Sequence, residues 1–369
     1  MRKYLLPKKG HYYKANLHGH SVLSDGTQTP EELKRLYKEN GYSVLAITDH
    51  DFLRPQNELS DENFIMLTAY EIDIRNYKSD IHRAVRKAVH LNLFAKNQDN
   101  TTFIGFHPET VKHLVKRGTV TEDEIKKVKY AGELRELYYS PDIVNNIIKS
   151  ARENGYLVSL NHPAWSLINY SDYSNYEGIW AVEIYNNECA KMDYSDDEHV
   201  YEEMLRLGKH VFCTATDDNH SPAGTLGGFT MIKSESFDYS SIISAMERGD
   251  FYASSGPEIY ELYYEDGSIH IECSPVTKIS ILTIGRRRAT KFAKDGELLT
   301  SADFKIDPER YGYIRLRITD SSGKSAWTNA YYVDELMENA VSFSPNIYLK
   351  HIAAHLPSSP APYNLTQMI

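Results

Sequence analysis

Cysteine is scarce: the chain has three, Cys189, Cys213 and Cys273, far apart and without CxxC spacing. An odd, scattered set excludes a disulfide framework and a structural zinc site built on paired thiolates, and it fits a reducing compartment. Long apolar runs are missing too. None approaches the roughly 18 apolar residues of a membrane span. The opening Met1-Arg2-Lys3-Tyr4-Leu5-Leu6-Pro7-Lys8-Lys9 is too poor in apolar residues for a signal peptide. A cytoplasmic protein with no membrane partner is expected; export behind a removed leader is the alternative, kept open by the C-terminal module described below. Excess positive charge is absent, since 41 Lys and Arg against 51 Asp and Glu leave a net charge of −10. The surface as a whole therefore does not attract nucleic acid or anionic membrane, and no stable nucleic-acid complex is expected, although bound divalent cations would reverse the sign locally. Internal repeats and low-complexity tracts are lacking as well. At 369 residues and 41% hydrophobic content, the chain can bury one large or two moderate cores; its oligomeric state is left open.

What is present is a recurrence of His, Asp and Glu where strand-like runs end. The run 13–17 leads into His18-Gly19-His20, and in extended chain the i, i+2 spacing sends both imidazoles to one face. Asp25 follows at a turn that Gly26 permits. Thr29-Pro30-Glu31-Glu32 carries a helix start, with Leu33, Leu36 and Tyr37 as its inward stripe and Asn40-Gly41 as its stop. The strand 43–48 then delivers Asp49-His50-Asp51, completing a βαβ unit with candidate ligands after both strands. The apolar run 64–70 delivers Glu71. The run 88–94 is expected to pair back across 76–87 and bring His90 beside Glu71, with His82 in the loop as the rival.

Residues 95–140 are polar and mixed, with a helical pattern over 121–139. This stretch is expected to cover a strand-end site, with His107 and His113 as surface or loop histidines. A helix from Pro141 ends at Asn154-Gly155. The strand 156–160 ends in Asn161-His162-Pro163, and the strand 179–185 carries Glu183. The helix 196–207 precedes the strand 211–216, which leads to Asp217-Asp218-Asn219-His220. Asp218 and His220 repeat the i, i+2 spacing, and Asp217 points the other way. A strand at 227–233 and a helix at 240–247 follow. Near Gly256-Pro257 the pattern changes to short alternating strands (259–264, 269–274, 278–285, 313–319, 329–333), with Asp266-Gly267, Asp295-Gly296 and Ser321-Ser322-Gly323 as turns. The expected organisation is an α/β domain over 1–256, an antiparallel β-sandwich over 257–335 and a proline-containing tail over 336–369.

The ordered set HxH, DG, TDHD, Glu after an apolar strand, HLNL, NHP and DxH resembles the PHP (polymerase and histidinol phosphatase) superfamily of metal-dependent phosphoesterases, over roughly 13–255. Ala326-Trp327-Thr328-Asn329-Ala330 also has the look of its two-domain subgroup with a C-terminal sandwich. The resemblance implies a distorted (β/α)7 barrel with two or three divalent metals at its C-terminal face. Residue by residue, it implies the ligands His18, His20, Asp25, His50, Glu71, His90, His162, Asp218 and His220. One metal would take His18, His20, Glu71 and Asp218, a second Glu71, His90 and His162, and a third Asp25, His50 and His220.

Mixed nitrogen and oxygen ligands suit Zn, Mn or Fe, whereas an all-oxygen set would suit Mg or Ca. The chemistry expected is hydrolysis by a water that bridges two cations and attacks phosphorus in line, with Glu71 and Asp218 bridging metals or activating that water and no protein nucleophile. Asp49, Asp51 and Glu183 are candidates for orienting imidazole N–H groups. The expected partner is a small phosphorylated substrate or a nucleotide. The competing readings are a nuclease or phosphodiesterase on short oligonucleotides, a hydrolase of amides or lactones, and a binding protein acting through the sandwich.

Overall fold

The computed structural model describes residues 2–336 apart from 78–81, 83–84, 195–196, 287 and 308–311. The expected tail therefore lies, from 337 onward, outside the described residues. Local sequence sets the first scaffold helix, Pro30–Glu39, directly: the Thr29 hydroxyl accepts from the Glu32 N–H, the Glu32 carboxylate accepts from the Thr29 N–H, and Pro30 fills the first turn. Leu33 and Tyr37 are buried on its inner face. The helix Pro141–Glu153 is capped by Ser140 and buries Ile143, Val144, Ile147, Ile148 and Ala151 at helical spacing. These side chains join Ile72, Val89, Leu91, Val158 and Leu160 of the sheet beneath in the largest core.

That sheet has five strands in the order Phe212–Thr216, Ala181–Asn186, Tyr156–Leu160, Ala88–Ala95 and Ala69–Arg75. The first three are parallel, and Ala88–Ala95 is antiparallel to both its neighbours. A second sheet places Phe251–Ser254, Phe229–Ser234, His11–Asn16, Val44–Ala46 and Ile65–Leu67 side by side. It runs on from Phe251–Ser254 through Ser325–Thr328 and Tyr313–Thr319 to Lys278–Thr283 and Ala289–Phe292. The sheet thus passes residue 256 without a break. A four-stranded antiparallel sheet (Lys3–Tyr4, Ile259–Glu265, Ser268–Val276, Leu299–Lys305) packs against that extension. Ile269, Ile271 and Phe304 on one side and Ile279, Leu316 and Ile318 on the other form their shared core.

The architecture is mixed α/β, but among the described residues no sheet closes, and the ladder of a (β/α)7 barrel is not seen. The reason lies in strand direction. A barrel of that kind needs parallel neighbours joined by helical crossovers, whereas Ala69–Arg75 returns as the antiparallel Ala88–Ala95 and His11–Asn16 has the antiparallel Phe229–Ser234 on one flank. Where the two sheets meet, side chains stand in for a ladder: the Thr230 hydroxyl accepts from the Ala215 N–H (3.2 Å) and donates to its carbonyl (3.1 Å). The helical pattern at 121–139 forms a helix only over Glu122–Lys127. Beyond it Tyr130–Ala131 pairs with Phe103–Ile104 and Leu134 and Tyr138 are exposed, while Val128, Ala131 and Tyr139 pack against the large core without a helix to carry them.

Candidate metal centre

His18 and His20 stand just past the end of His11–Asn16, in extended chain lying against residues 218–220. The Asp218 N–H donates to the His18 carbonyl (2.9 Å) and the His20 N–H to the Asn219 carbonyl (2.9 Å). The approach is close enough that a Cβ on Gly19 would meet Asn219 Oδ1 at 2.5 Å, so a side chain there would have to displace an amide that accepts from the Tyr37 hydroxyl (2.9 Å). Asp218 (φ 54°), His162 (φ 28°) and Asp51 (φ 55°) all adopt left-handed backbone. Such conformations cost non-glycine residues on the order of 1–3 kcal/mol each and persist where surrounding structure holds them. Asp217 supplies part of that hold. It points away from the cluster and accepts from the Tyr37 hydroxyl (2.7 Å) and the N–H groups of Leu226 (2.6 Å), Gly227 (2.8 Å) and Gly228 (2.8 Å).

All nine residues singled out in the sequence converge. Six histidines and three carboxylates form overlapping groups whose candidate ligand atoms lie within 4.8 Å of one another. Glu71 is the carboxylate that belongs to two of these groups. Its Oε1 lies 3.0 Å from His90 Nδ1 and 3.3 Å from His18 Nε2, and its Oε2 lies 3.0 Å from His50 Nδ1 and 3.4 Å from His20 Nε2. Asp218 Oδ1 faces His20 Nε2 (3.0 Å) and His18 Nε2 (3.1 Å), with His162 Nε2 3.7 Å from Oδ2. Asp25 lies 3.6 Å from His20, His50 and His220. His18, His20 and Glu71 are sealed from solvent, whereas Asp25 (39% side-chain exposure) and His220 (36%) mark the open side. His90, the strand partner of Asp73, is the histidine brought to Glu71; His82 is exposed and outside the cluster. His107 caps the helix Pro108–Arg117, and His113 bonds within it to the Thr110 carbonyl.

The electrostatics are those of a cation site. Burial works against the charged form of Glu71, yet His90, His18 and His50 outweigh it and hold the carboxyl well below its usual range. Asp218 and Asp25 are held down by their histidines against the same opposing burial. His90 is pushed up to about 10 and His220 to about 9 by facing carboxylates, again against burial. His50 goes the other way, to about 3, because burial and the neighbouring His20 and His90 disfavour its charge more than Glu71 favours it. Ionised carboxylates thus share one buried volume with imidazoles that a cation would deprotonate and bind. His20 Nδ1, His50 Nδ1, Glu71 Oε2 and His90 Nε2 are buried without a hydrogen bond. His50 Nδ1 and Glu71 Oε2 are 3.0 Å apart yet not aligned to bond, as expected of lone pairs aimed at a common point between them. The donor set and its orphaned atoms fit divalent cations.

Behind the cluster stand residues that hold it. Glu183, 1% exposed, accepts from His18 Nδ1 (2.7 Å), the Thr216 hydroxyl (2.7 Å), the His162 N–H (2.9 Å) and Asn186 Nδ2 (3.0 Å). It fixes the His18 ring so that Nε2 faces Glu71 and Asp218. Asp49 serves local structure, accepting from the Ser21 and Ser24 hydroxyls (2.7 and 2.6 Å). Asp51 takes the Arg135 guanidinium (3.0 Å).

Sequence reasoning missed Asp73, Asn161 and Arg135. Asp73 sits two residues past Glu71 on the same strand face, a signal that was available, and reaches His90 Nε2 at 3.4 Å. Asn161 donates to Glu71 Oε1 (2.7 Å). Arg135 comes from a segment with no regular structure, so no periodicity marks it. Glu183→Gln is expected to lower metal affinity by about ten- to a hundredfold, because an amide places a donor among four donors; competition against a chelator measures this, with circular dichroism to confirm the fold.

Residues 16–162 match the PHP domain. Seven of the nine converging residues lie within this matched stretch, and Asp218 and His220 lie beyond it. No curated protein matches the sequence. Among solved structures, a two-domain protein from Bacteroides vulgatus containing a predicted PHP-like metal-dependent phosphoesterase is 13% identical with a TM-score of 0.43, the match covering 89% of this chain and 98% of that one. An amidohydrolase from Chromobacterium violaceum is 18% identical (TM-score 0.37; 58% and 90% covered). A lesion-specific endonuclease from Pyrococcus furiosus is 14% identical (TM-score 0.36; 64% and 56% covered). Similarity at this level says nothing of activity.

Proposed function

We propose that this protein is a metal-dependent phosphoesterase that hydrolyses a phosphate ester of a small molecule or nucleotide. The observation that carries the reading is the convergence of six histidines and three carboxylates in one cluster, seven of them within the stretch that matches the PHP domain. His18, His20, Glu71 and Asp218 would hold one cation, Glu71, His90 and His162 a second, and Asp25, His50 and His220 a third, with Zn, Mn or Fe suited to the donor set. Bound there, such ions supply acidified water and neutralise the charge on phosphoryl oxygens.

The chain's own residues do the rest. Glu71 faces His18, His90 and His162 with Oε1 and His20 and His50 with Oε2, so it reaches histidines of all three proposed cation groups and is placed to bridge. Asp218, held by the Asn186 amide (3.1 Å), presents Oδ1 between His18 and His20. The open side at Asp25 and His220 gives the substrate its approach. Arg135 stands behind the cluster: its buried guanidinium pairs with Asp51, which follows His50, and Nη2 also bonds the Tyr77 hydroxyl (both 3.0 Å).

The test is hydrolysis by protein loaded with Mn or Zn of an aryl phosphate, an aryl phosphodiester and a lactone. Metal-dependent turnover of the phosphate monoester, lost on chelation, is expected. Turnover of the lactone alone would overturn the proposal.

A further inference from the structure

The three tryptophans of the chain are not equivalent. Trp180 and Trp327 are core residues, 9% and 7% exposed, and each indole N–H has an acceptor: the Met246 carbonyl (3.0 Å) and Glu198 Oε2 (3.1 Å). Trp165 is half-buried, and its N–H has no partner among the described residues. Its ring lies 5.0 Å from the His162 ring, at 82°, and 5.2 Å from the His90 ring, at 58°. It therefore makes an edge-on and a tilted contact with two of the histidines that face Glu71.

The loop that presents it is held at both ends. His162 (φ 28°) and Leu167 (φ 56°) are left-handed non-glycine residues that bracket the turn. Within it the Ala164 N–H donates to Asp197 (2.8 Å), the Ser166 N–H to the His162 carbonyl (3.1 Å), and the Ala88 N–H to the Ser166 carbonyl (3.2 Å). Leu167 next to it is 40% exposed. The left-handed backbone at both ends and the three anchoring bonds hold one flat, partly exposed ring beside the histidine cluster.

We infer that Trp165 is a specificity-determining residue, a stacking wall for a planar ring carried on the ester oxygen of the substrate. This rests on the phosphoesterase reading of the same centre. A phosphoryl group on the cation that His90, His162 and Glu71 would hold has Trp165 beside it, since the indole contacts both of those histidines, and a flat ester substituent would gain a stacking contact there that a puckered one does not. The substrate class assigned is a phosphate ester of an aryl or heteroaryl group.

The test compares phenyl phosphate with cyclohexyl phosphate, similar in size but different in planarity, using metal-loaded wild type, Trp165→Leu and Trp165→Phe. Leucine is expected to lower kcat/KM for phenyl phosphate about tenfold and for cyclohexyl phosphate less than about threefold, with phenylalanine recovering most of the loss. The intrinsic difference between the two leaving groups cancels in this ratio of ratios. Equal losses on both esters, or loss of bound metal in Trp165→Leu by elemental analysis, would overturn the inference, since a merely structural indole gives those results. Binding of phenylphosphonate and methylphosphonate, which are not hydrolysed, supplies a readout apart from turnover. If neither ester is turned over yet phenylphosphonate binds more tightly and only when Trp165 is present, the phosphoesterase reading falls and the stacking wall stands; if neither turnover nor binding depends on Trp165, the wall falls.

Discussion

Glu71→Gln is expected to release at least one divalent ion per chain and to lower kcat by about a hundredfold or more, equivalent to about 3 kcal/mol at the barrier. Glutamine keeps the shape of a side chain that is wholly buried and still accepts from Asn161, so the fold should survive. What it removes is charge. A cation held by His18, His20 and Asp218 and another held by His90 and His162 would need an anion between them, and a neutral amide with one acceptor atom would leave one of them unsatisfied. His199→Ala is the control, because that ring sits on the helix Asp197–Arg206 with a side chain 65% exposed. Metal content by elemental analysis and phosphoesterase rate are measured on both variants. If Glu71→Gln keeps full metal content and rate, the carboxylate has no bridging role.

Eight of the nine converging residues were legible because they sit within a strand or in the few residues past its end, where two-residue periodicity fixes direction, and Asp25 because it falls in the turn after His20. His18 and His20, and Asp218 and His220, follow from spacing alone, and His90 follows once Ala88–Ala95 is paired back on Ala69–Arg75. The residues that went unread act through partners distant in sequence. Arg135 reaches Asp51 from an irregular segment, and Trp165 becomes meaningful only when His90 and His162 are seen on either side of it. The same limit governs the fold. Element positions follow from caps and apolar spacing, but which strand lies beside which does not: His11–Asn16 pairs with Phe229–Ser234, and Phe251–Ser254 with Ser325–Thr328. Those long-range pairings decide that the sheets stay open and that one of them runs into the sandwich.

The continuity across residue 256 has an ionic counterpart, and Arg315→Ala is expected to destabilise the protein by about 3–5 kcal/mol. Arg315, on the sandwich strand Tyr313–Thr319, is wholly buried and donates to Glu198 (2.7 Å) and Glu202 (2.6 Å) of the helix Asp197–Arg206. Arg317 adds a bond to Glu198 (2.8 Å), and Arg206 and Arg288 each bond Glu202 (2.6 Å). Burial works against the Arg315 charge, but the two glutamates outweigh it and hold the guanidinium above its ordinary value, while Glu198 is held below its own. Alanine leaves two carboxylates in an enclosed space with fewer partners, and the cost of an uncompensated buried charge exceeds the net worth of the pair itself. The triple variant Glu198→Gln, Glu202→Gln, Arg315→Met, which removes the charges together, is accordingly expected to recover most of the loss. Lys149→Ala, which breaks an exposed pair with Glu153 at 4.0 Å, should leave the denaturation midpoint unchanged within error. Denaturant unfolding of the metal-loaded protein, followed by tryptophan fluorescence and by metal release, measures all three. Because the network and the shared sheet join the centre to the sandwich, both probes should move together in Arg315→Ala. Metal release at the wild-type midpoint, with only the fluorescence transition shifted, would show that the sandwich unfolds without the metal centre.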